Sequence, residues 1–277
     1  MTSERPKEIL APVDFSPLSA LALHYSKMLA GCSGARITAL HAHSFDPPPY
    51  FMNSQLGRLE RELRDSLVRA RAHLREFVER EIGTGDSRFL VEEGNAANVI
   101  SRAAAEHGAS WIVMGTHGRT GMNGFMLGSV AENVLRRSNI PVLTVRGDAR
   151  PGPIRNILAP VNNTPSARRA LALSAELARC TGARVKVVHV QEPGAPGTID
   201  DLCAWVPEAE RPHCDVNRLL RGDPALEIVN LSAASGCDLI VVGAEHKRFS
   251  DSTVLGTTTI RVVRHARCPV FTVFNGS

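Results

Sequence analysis

Aromatic residues are scarce in this chain. They make up 5% of it, with two Trp and two Tyr, while Ala, Leu and Val dominate the apolar 43%. Such a core suits helices packed on a parallel sheet better than a β-sandwich. No stretch approaches the ~20 consecutive apolar residues of a membrane span, and residues 1–8 are polar and charged with no apolar run behind them. Membrane and export functions are therefore not expected. Neither sign of charge dominates: the formal excess of +4 over 277 residues is too small to mark a nucleic-acid-binding surface. The six cysteines (Cys32, Cys180, Cys203, Cys214, Cys237 and Cys268) form no CxxC pair. They are expected to be reduced, mostly buried thiols in a cytoplasmic protein.

What the chain does have is a repeat. Ile9-Leu10-Ala11-Pro12-Val13 returns as Ile157-Leu158-Ala159-Pro160-Val161, an offset of 148 residues. At the same offset Pro17 meets Pro165, Cys32 meets Cys180, Gly34-Ala35-Arg36 meets Gly182-Ala183-Arg184, and His41 meets His189. Further along the offset is 128: Gly94 meets Gly222, Gly115 meets Gly243, Leu127-Gly128 meets Leu255-Gly256, and Pro141-Val142 meets Pro269-Val270. The second copy is thus shorter by 20 residues between its second and third strands. Domains over 1–148 and 153–277 follow, joined through a Gly/Pro/Arg-containing linker near 147–153.

In the first copy, apolar runs predict strands at 9–13, 37–43, 88–93, 111–115 and 142–146. Helical periodicity predicts helices near 17–31, 55–82, 95–107 and 129–137. Strict alternation of strand and helix predicts an α/β fold with a parallel, doubly wound sheet. In the segment 55–82, Leu56, Leu59, Leu63, Leu67, Ala70, Leu74, Phe77 and Ile82 form one apolar stripe. The opposite face mixes Arg58, Glu60, Arg61, Glu62, Arg64 and Asp65 and reads as solvated. The second copy has the Pro- and Gly-rich segment 192–215 instead, expected to be a loop or short helix.

The chemistry-bearing stretch follows the fourth strand: Gly115-Thr116-His117-Gly118, nine residues, then Gly128-Ser129-Val130. Two glycines at a strand end permit close approach to the backbone, and their N–H groups can form an anion concavity. Gly128-Ser129 opens a helix whose free N–H groups favour phosphate. Neither a Walker A nor a dinucleotide fingerprint is present. Asp14 follows the first strand as Gly115 follows the fourth; its carboxylate can bind a ribose hydroxyl, or can simply cap the helix opened by Ser16-Pro17.

Pro12-Val13-Asp14-Phe15-Ser16, the glycine pattern and the closing Asn139-Ile140-Pro141-Val142-Leu143-Thr144-Val145 resemble the nucleotide signature of the universal stress protein family. The resemblance covers both copies. It implies two Rossmann-like domains of the adenine nucleotide alpha hydrolase-like kind, each a five-stranded parallel sheet of order 3-2-1-4-5, with ATP and Mg bound in the first. Pro12, Val13 and Asp14 would hold adenosine, the backbone of Ala42 would contact adenine, and Met114, Gly115 and Gly118 would line ribose and phosphates. Gly128, Ser129 and Val130 would take the phosphates. In the second copy Asn162 replaces the aspartate and Gly243-Ala244-Glu245-His246 replaces the paired glycines, implying a degenerate site. The family also implies a homodimer and pairing of the terminal strands, here 142–146 and 270–274.

The remaining polar candidates have bland readings. His117 in the glycine loop reads as solvated, Arg119 as either a charge partner for phosphate or a solvated side chain, and His41 and His189 as residues with a packing or fold-related hydrogen-bonding role. Cys203, His213, Cys214 and Asp215 lack metal-ligand spacing. No nucleophile elbow or acid/base pair is present, so no catalytic residues are assigned. A slow ATPase or nucleotide-transferring enzyme on the same fold is the alternative to a nucleotide-binding stress-response protein.

Overall fold

Capping chemistry sets where the helices begin. Ser16, Asn95, Thr164 and Asp223 each accept a backbone N–H three residues on, opening α1 (Pro17–Ser33), α3 (Ala96–Glu106), α5 (Pro165–Thr181) and α6 (Pro224–Ala234). Gly34 and Gly182 close α1 and α5 in the left-handed conformation that only glycine enters without strain. The computed structural model describes residues 6–44, 56–118, 127–147, 149, 152–191, 204–249 and 252–275. It divides into two compact units, Met1–Met114 and Gly115–Ser277.

In the first unit the strands are β1 (Glu8–Pro12), β2 (Arg36–His43), β3 (Ser87–Glu93) and β4 (Trp111–Gly115, whose last residue opens the second unit). They are ordered β3-β2-β1-β4, with parallel pairing in register from Ile9↔Ile37 and Ile9↔Trp111. The long helix α2 (Leu56–Ile82) and α1 pack on this sheet through Leu23, Leu74, Phe77, Val78 and Ile82. The predicted stripe is thus deepest in the C-terminal half of α2, while Glu60, Arg61, Glu62, Arg64 and Asp65 are exposed.

The second unit starts with α4 (Ser129–Arg137) and β5 (Val142–Val145), then contains β6 (Asn156–Pro160), β7 (Arg184–Gln191), β8 (Cys214–Arg221), β9 (Leu239–Ala244), α7 (Thr257–His265) and β12 (Val270–Phe274). Its order β5-β12-β9-β6-β7-β8 contains a complete 5-4-1-2-3 arrangement of the second repeat. β5 of the first repeat pairs antiparallel with β12, Leu143 opposite Phe271. The second unit thus takes in the end of the first repeat, from Gly115 on.

The second repeat adds a hairpin outside its five-stranded sheet: β10 (His246–Phe249) and β11 (Ser252–Leu255) pair antiparallel between β9 and α7. In place of a long helix it has the short helix expected there, a 3₁₀ turn over Glu208–His213; Val206 is buried, and the Trp205 ring meets His189 edge-on at 4.8 Å.

The cysteines divide. Burial pushes the thiols of Cys237 and Cys268 up, the latter to about 12, which suits inert packing residues. Cys32 and Cys180 correct the expectation of reduced, buried thiols, since both are disulfide-bonded. Each lies near the end of its helix, half-buried and exposed respectively, outside the apolar core.

Charge joins the repeats inside the second unit. The buried Arg146 donates to the carbonyls of Val263 and Arg264 at the end of α7, at 3.3 and 2.6 Å. Glu132 on α4 accepts from Arg136 at 2.6 Å and from Arg264 at 3.0 Å. Burial opposes ionisation of Glu132, but the two guanidiniums outweigh it and hold the carboxyl below its ordinary range. A depressed carboxyl stabilises the fold above its unfolded value, and the contribution disappears as pH falls through the folded value. Glu132→Gln is expected to cost about 1 kcal/mol at neutral pH. The gap between the variant and the parent chain in thermal melts should close as pH drops below about 4.3.

Candidate functional site

In the first unit, Val13 is locked where β1 ends. Its N–H donates to the Leu40 carbonyl at 2.8 Å, and its own carbonyl meets His41 Nδ1 at 2.8 Å. The second repeat reproduces both distances at Val161, with Val188 and His189. The two histidines thus tie the first strand's end to the second strand, the fold-related role expected of them. Asp14 Oδ1 accepts from the N–H of Ser16 at 3.0 Å and from its hydroxyl at 2.6 Å. The turn reading of Asp14 is realised through one oxygen; none of these bonds uses Oδ2. Pro12, Asp14 and Ala42 are half-buried, Val13 buried.

The same turn holds a residue the sequence gives no hint of. Phe15 has φ 64°, and among the described residues it is the one non-glycine with positive φ. That conformation costs a bulky side chain about 1–2 kcal/mol.

Met114 is buried at the end of β4, and the glycine loop that follows is anchored on both sides in the second unit. Thr116, fully buried, donates its N–H to Val145 at 2.9 Å and accepts the Gly128 N–H at 2.7 Å. A Cβ on Gly128 would lie 3.0 Å from the Thr116 carbonyl oxygen and 3.1 Å from His117 Cα, so glycine is needed there for close approach. Gly118 is exposed and Gly115 half-buried. His117, half-buried, has its Nδ1 3.2 Å from the Thr116 hydroxyl. Arg119 lies outside the described residues.

α4 begins without a side-chain cap: Gly128 is its N-cap, and Ser129 and Val130 are exposed. α7, with Gly256 at its N-cap position, likewise has no side-chain cap. α1, α3, α5 and α6 all have side-chain caps, so the open N–H groups fall at equivalent places in the two repeats. Uncapped first-turn amides favour an anion.

The rest of the second repeat's constellation is altered. Asn162 Oδ1 accepts from the Thr164 hydroxyl at 2.6 Å, keeping the turn without a charge. His246, which stands where Gly118 does, lies in β10 of the hairpin and not in an open loop. Gly243 lies against the first turn of α5, where a Cβ would meet Ala167 N at 2.5 Å.

Among the described residues one group has metal-ligand proximity, Glu92, Glu106 and His107, with donor atoms within 4.8 Å of one another. Arg102 already supplies positive charge there, 2.8 Å from Glu92, and Arg88 lies 3.3 Å from His107 Nδ1. His213, Cys214 and Asp215 join no such group; Cys203 lies outside the described residues.

A family model described as the universal stress protein family matches residues 6–146 and again 153–273. The chain belongs to the universal stress protein family. A relative, Universal stress protein MJ0577 of Methanocaldococcus jannaschii, is 30% identical over 155 residues, covering 50% of this chain and 94% of its own. Universal stress protein Rv2005c of Mycobacterium tuberculosis is 30% identical over 138 residues, and the match covers 50% of this chain and 45% of that longer one. Among solved structures, a universal stress protein from Archaeoglobus fulgidus aligns over 97% of this chain and 98% of its own, with TM-score 0.75 at 21% identity. That likeness supports the fold. No described helix is long and apolar enough to cross a membrane.

Proposed function

We propose that this universal stress protein binds ATP, with Mg, through its first repeat and that its second repeat is a degenerate copy. In this reading the domains are 1–148 and 153–277. Pro12, Val13, Asp14 and the Ala42 backbone serve adenosine. Met114, Gly115 and Gly118 serve ribose and phosphates, and Gly128, Ser129 and Val130 take the phosphates. The observation that carries it is the uncapped start of α4, where first-turn amides and an exposed hydroxyl are left open beside a loop of backbone. Loss of the carboxylate at Asn162 and the hairpin at His246 support degeneracy in the second repeat. No nucleophile with a general base is assigned, so the proposed role is regulatory binding in a stress response. The homodimer implied by the family would need a surface other than the terminal strand, because β12 is flanked by β9 and β5 within the chain.

Calorimetric titration of Gly118→Ala tests the glycine loop. The position is exposed, so the fold should persist while ATP affinity falls at least about tenfold. Unchanged affinity would remove the loop from the site.

A further inference from the structure

We propose that the cleft between α1 and α2 in the first unit binds a small planar aromatic anion. Phe15 is the starting point. A turn from β1 into α1 does not itself demand a phenyl ring in the left-handed region; glycine or asparagine would make it with less strain. The equivalent residue of the second repeat, Asn163, is not among the positive-φ residues. Strain kept at a bulky side chain invites a search for what the side chain does. Here it directs the ring toward His41, His73 and Phe77, with centroids 4.6, 4.4 and 5.4 Å away, the last edge-on.

Beside that ring lies a cavity of about 490 Å³, within the range of small-molecule sites. Its apolar walls are Phe15, Phe77, Pro17, Ala20 and Leu21, and its polar end is formed by His24, Arg80 and Glu81. The Arg80 guanidinium stands 4.9 Å over the Phe77 ring and donates to Glu81 Oε1 through two nitrogens. Glu81 Oε2 is 3.6 Å from His24 Nε2. One turn along α1, Lys27 reaches the Ile82 carbonyl at 2.7 Å. At this end the Arg80 guanidinium and the His24 imidazole therefore face the single carboxylate of Glu81, while the walls offer aromatic faces and edges to a flat ring. A ring laid against Phe15 and Phe77 from the cleft would place an acidic substituent toward Arg80, whose five N–H donors suit a planar or tetrahedral oxyanion. This inference does not depend on the nucleotide reading.

Calorimetry with naphthalene-1-sulfonate, and with uncharged 1-naphthol as its comparison, tests it on the chain as it stands. One saturable sulfonate site per chain is expected. Ala20→Trp fills the cleft from a half-buried position and should abolish binding, and Leu21→Glu should do the same by opposing the anion. Arg80→Gln should weaken the sulfonate about tenfold and the naphthol less than about twofold. ATP binding measured in parallel should stay at the parent value in all three. No saturable site, sulfonate binding that survives both Ala20→Trp and Leu21→Glu, or equal losses of sulfonate and naphthol in Arg80→Gln would each overturn the proposal.

Discussion

Gly243→Ala is expected to be among the most damaging single-methyl additions in the second unit. The added Cβ would lie 2.5 Å from Ala167 N, 2.6 Å from Ser166 C and 2.8 Å from Ala167 Cα. All three are backbone atoms of the first turn of α5, so no rotamer change can relieve the overlap. Either α5 lifts from β9 or β9 distorts, and Ile157, Leu171 and Ile240, now fully buried, lose contacts. A cost of about 3 kcal/mol is expected, at the upper end of overpacking. That corresponds to a fall of about 6–12 °C in melting temperature for a unit of this size. Gly256→Ala is the matched control: its nearest neighbour would be the Glu245 carbonyl oxygen at 3.9 Å, and its melting temperature should stay within about 2 °C of the parent. Thermal melts followed by circular dichroism compare the two. Equal stability would mean that Gly243 is not kept by helix packing. Its persistence in a repeat where Asn162 and His246 stand in place of Asp14 and Gly118 would then need another cause.

Asp14→Asn is expected to abolish most ATP affinity while leaving the fold intact. Asp14 uses Oδ1 to hold Ser16, and Ser16 in turn caps α1. An amide oxygen can accept from the hydroxyl in the same way, as Asn162 does from Thr164 in the equivalent turn. What the amide lacks is the charge on the second oxygen. Charge-assisted bonds to a ribose hydroxyl or amino group are worth about 1.5–3 kcal/mol, so affinity should fall about 10- to 100-fold with an unchanged melting temperature for the apoprotein. Asp14→Ala would lose both the turn and the contact, and cannot separate them. If Asn binds ATP as Asp does, the carboxylate serves the turn alone.

Much of this architecture could be read from the residues because it depends on local signals. Pro17 and Pro165 mark helix starts, Gly34 and Gly182 mark helix ends, and the apolar runs at 37–43 and 111–115 differ from the observed strands by at most one residue. The repeat exposed the shorter second copy directly. Less visible were features set by tertiary context. Nothing in Asp14-Phe15-Ser16 announces a left-handed phenylalanine; it follows from the Asx turn and the aromatic cluster that receives the ring. The hairpin had a weak signal in Thr253 and Val254 after the turn formers Ser250 and Asp251, masked by comparison with the glycine loop of the first copy. Gly243 looked like a remnant of a phosphate loop, but its Cβ position is closed by α5. That Cys32 and Cys180 are disulfide-bonded depends on spatial proximity that no sequence spacing encodes.

The central claim is one competent nucleotide site per chain, in the first repeat. Isothermal titration of the nucleotide-free chain with Mg-ATP measures it most directly through its stoichiometry. The account predicts saturation at one ATP per chain, with affinity about 10- to 100-fold weaker in Asp14→Asn and unaffected by Asn162→Ala. Saturation at two, loss through Asn162→Ala, or no heat of binding at millimolar ATP would contradict it.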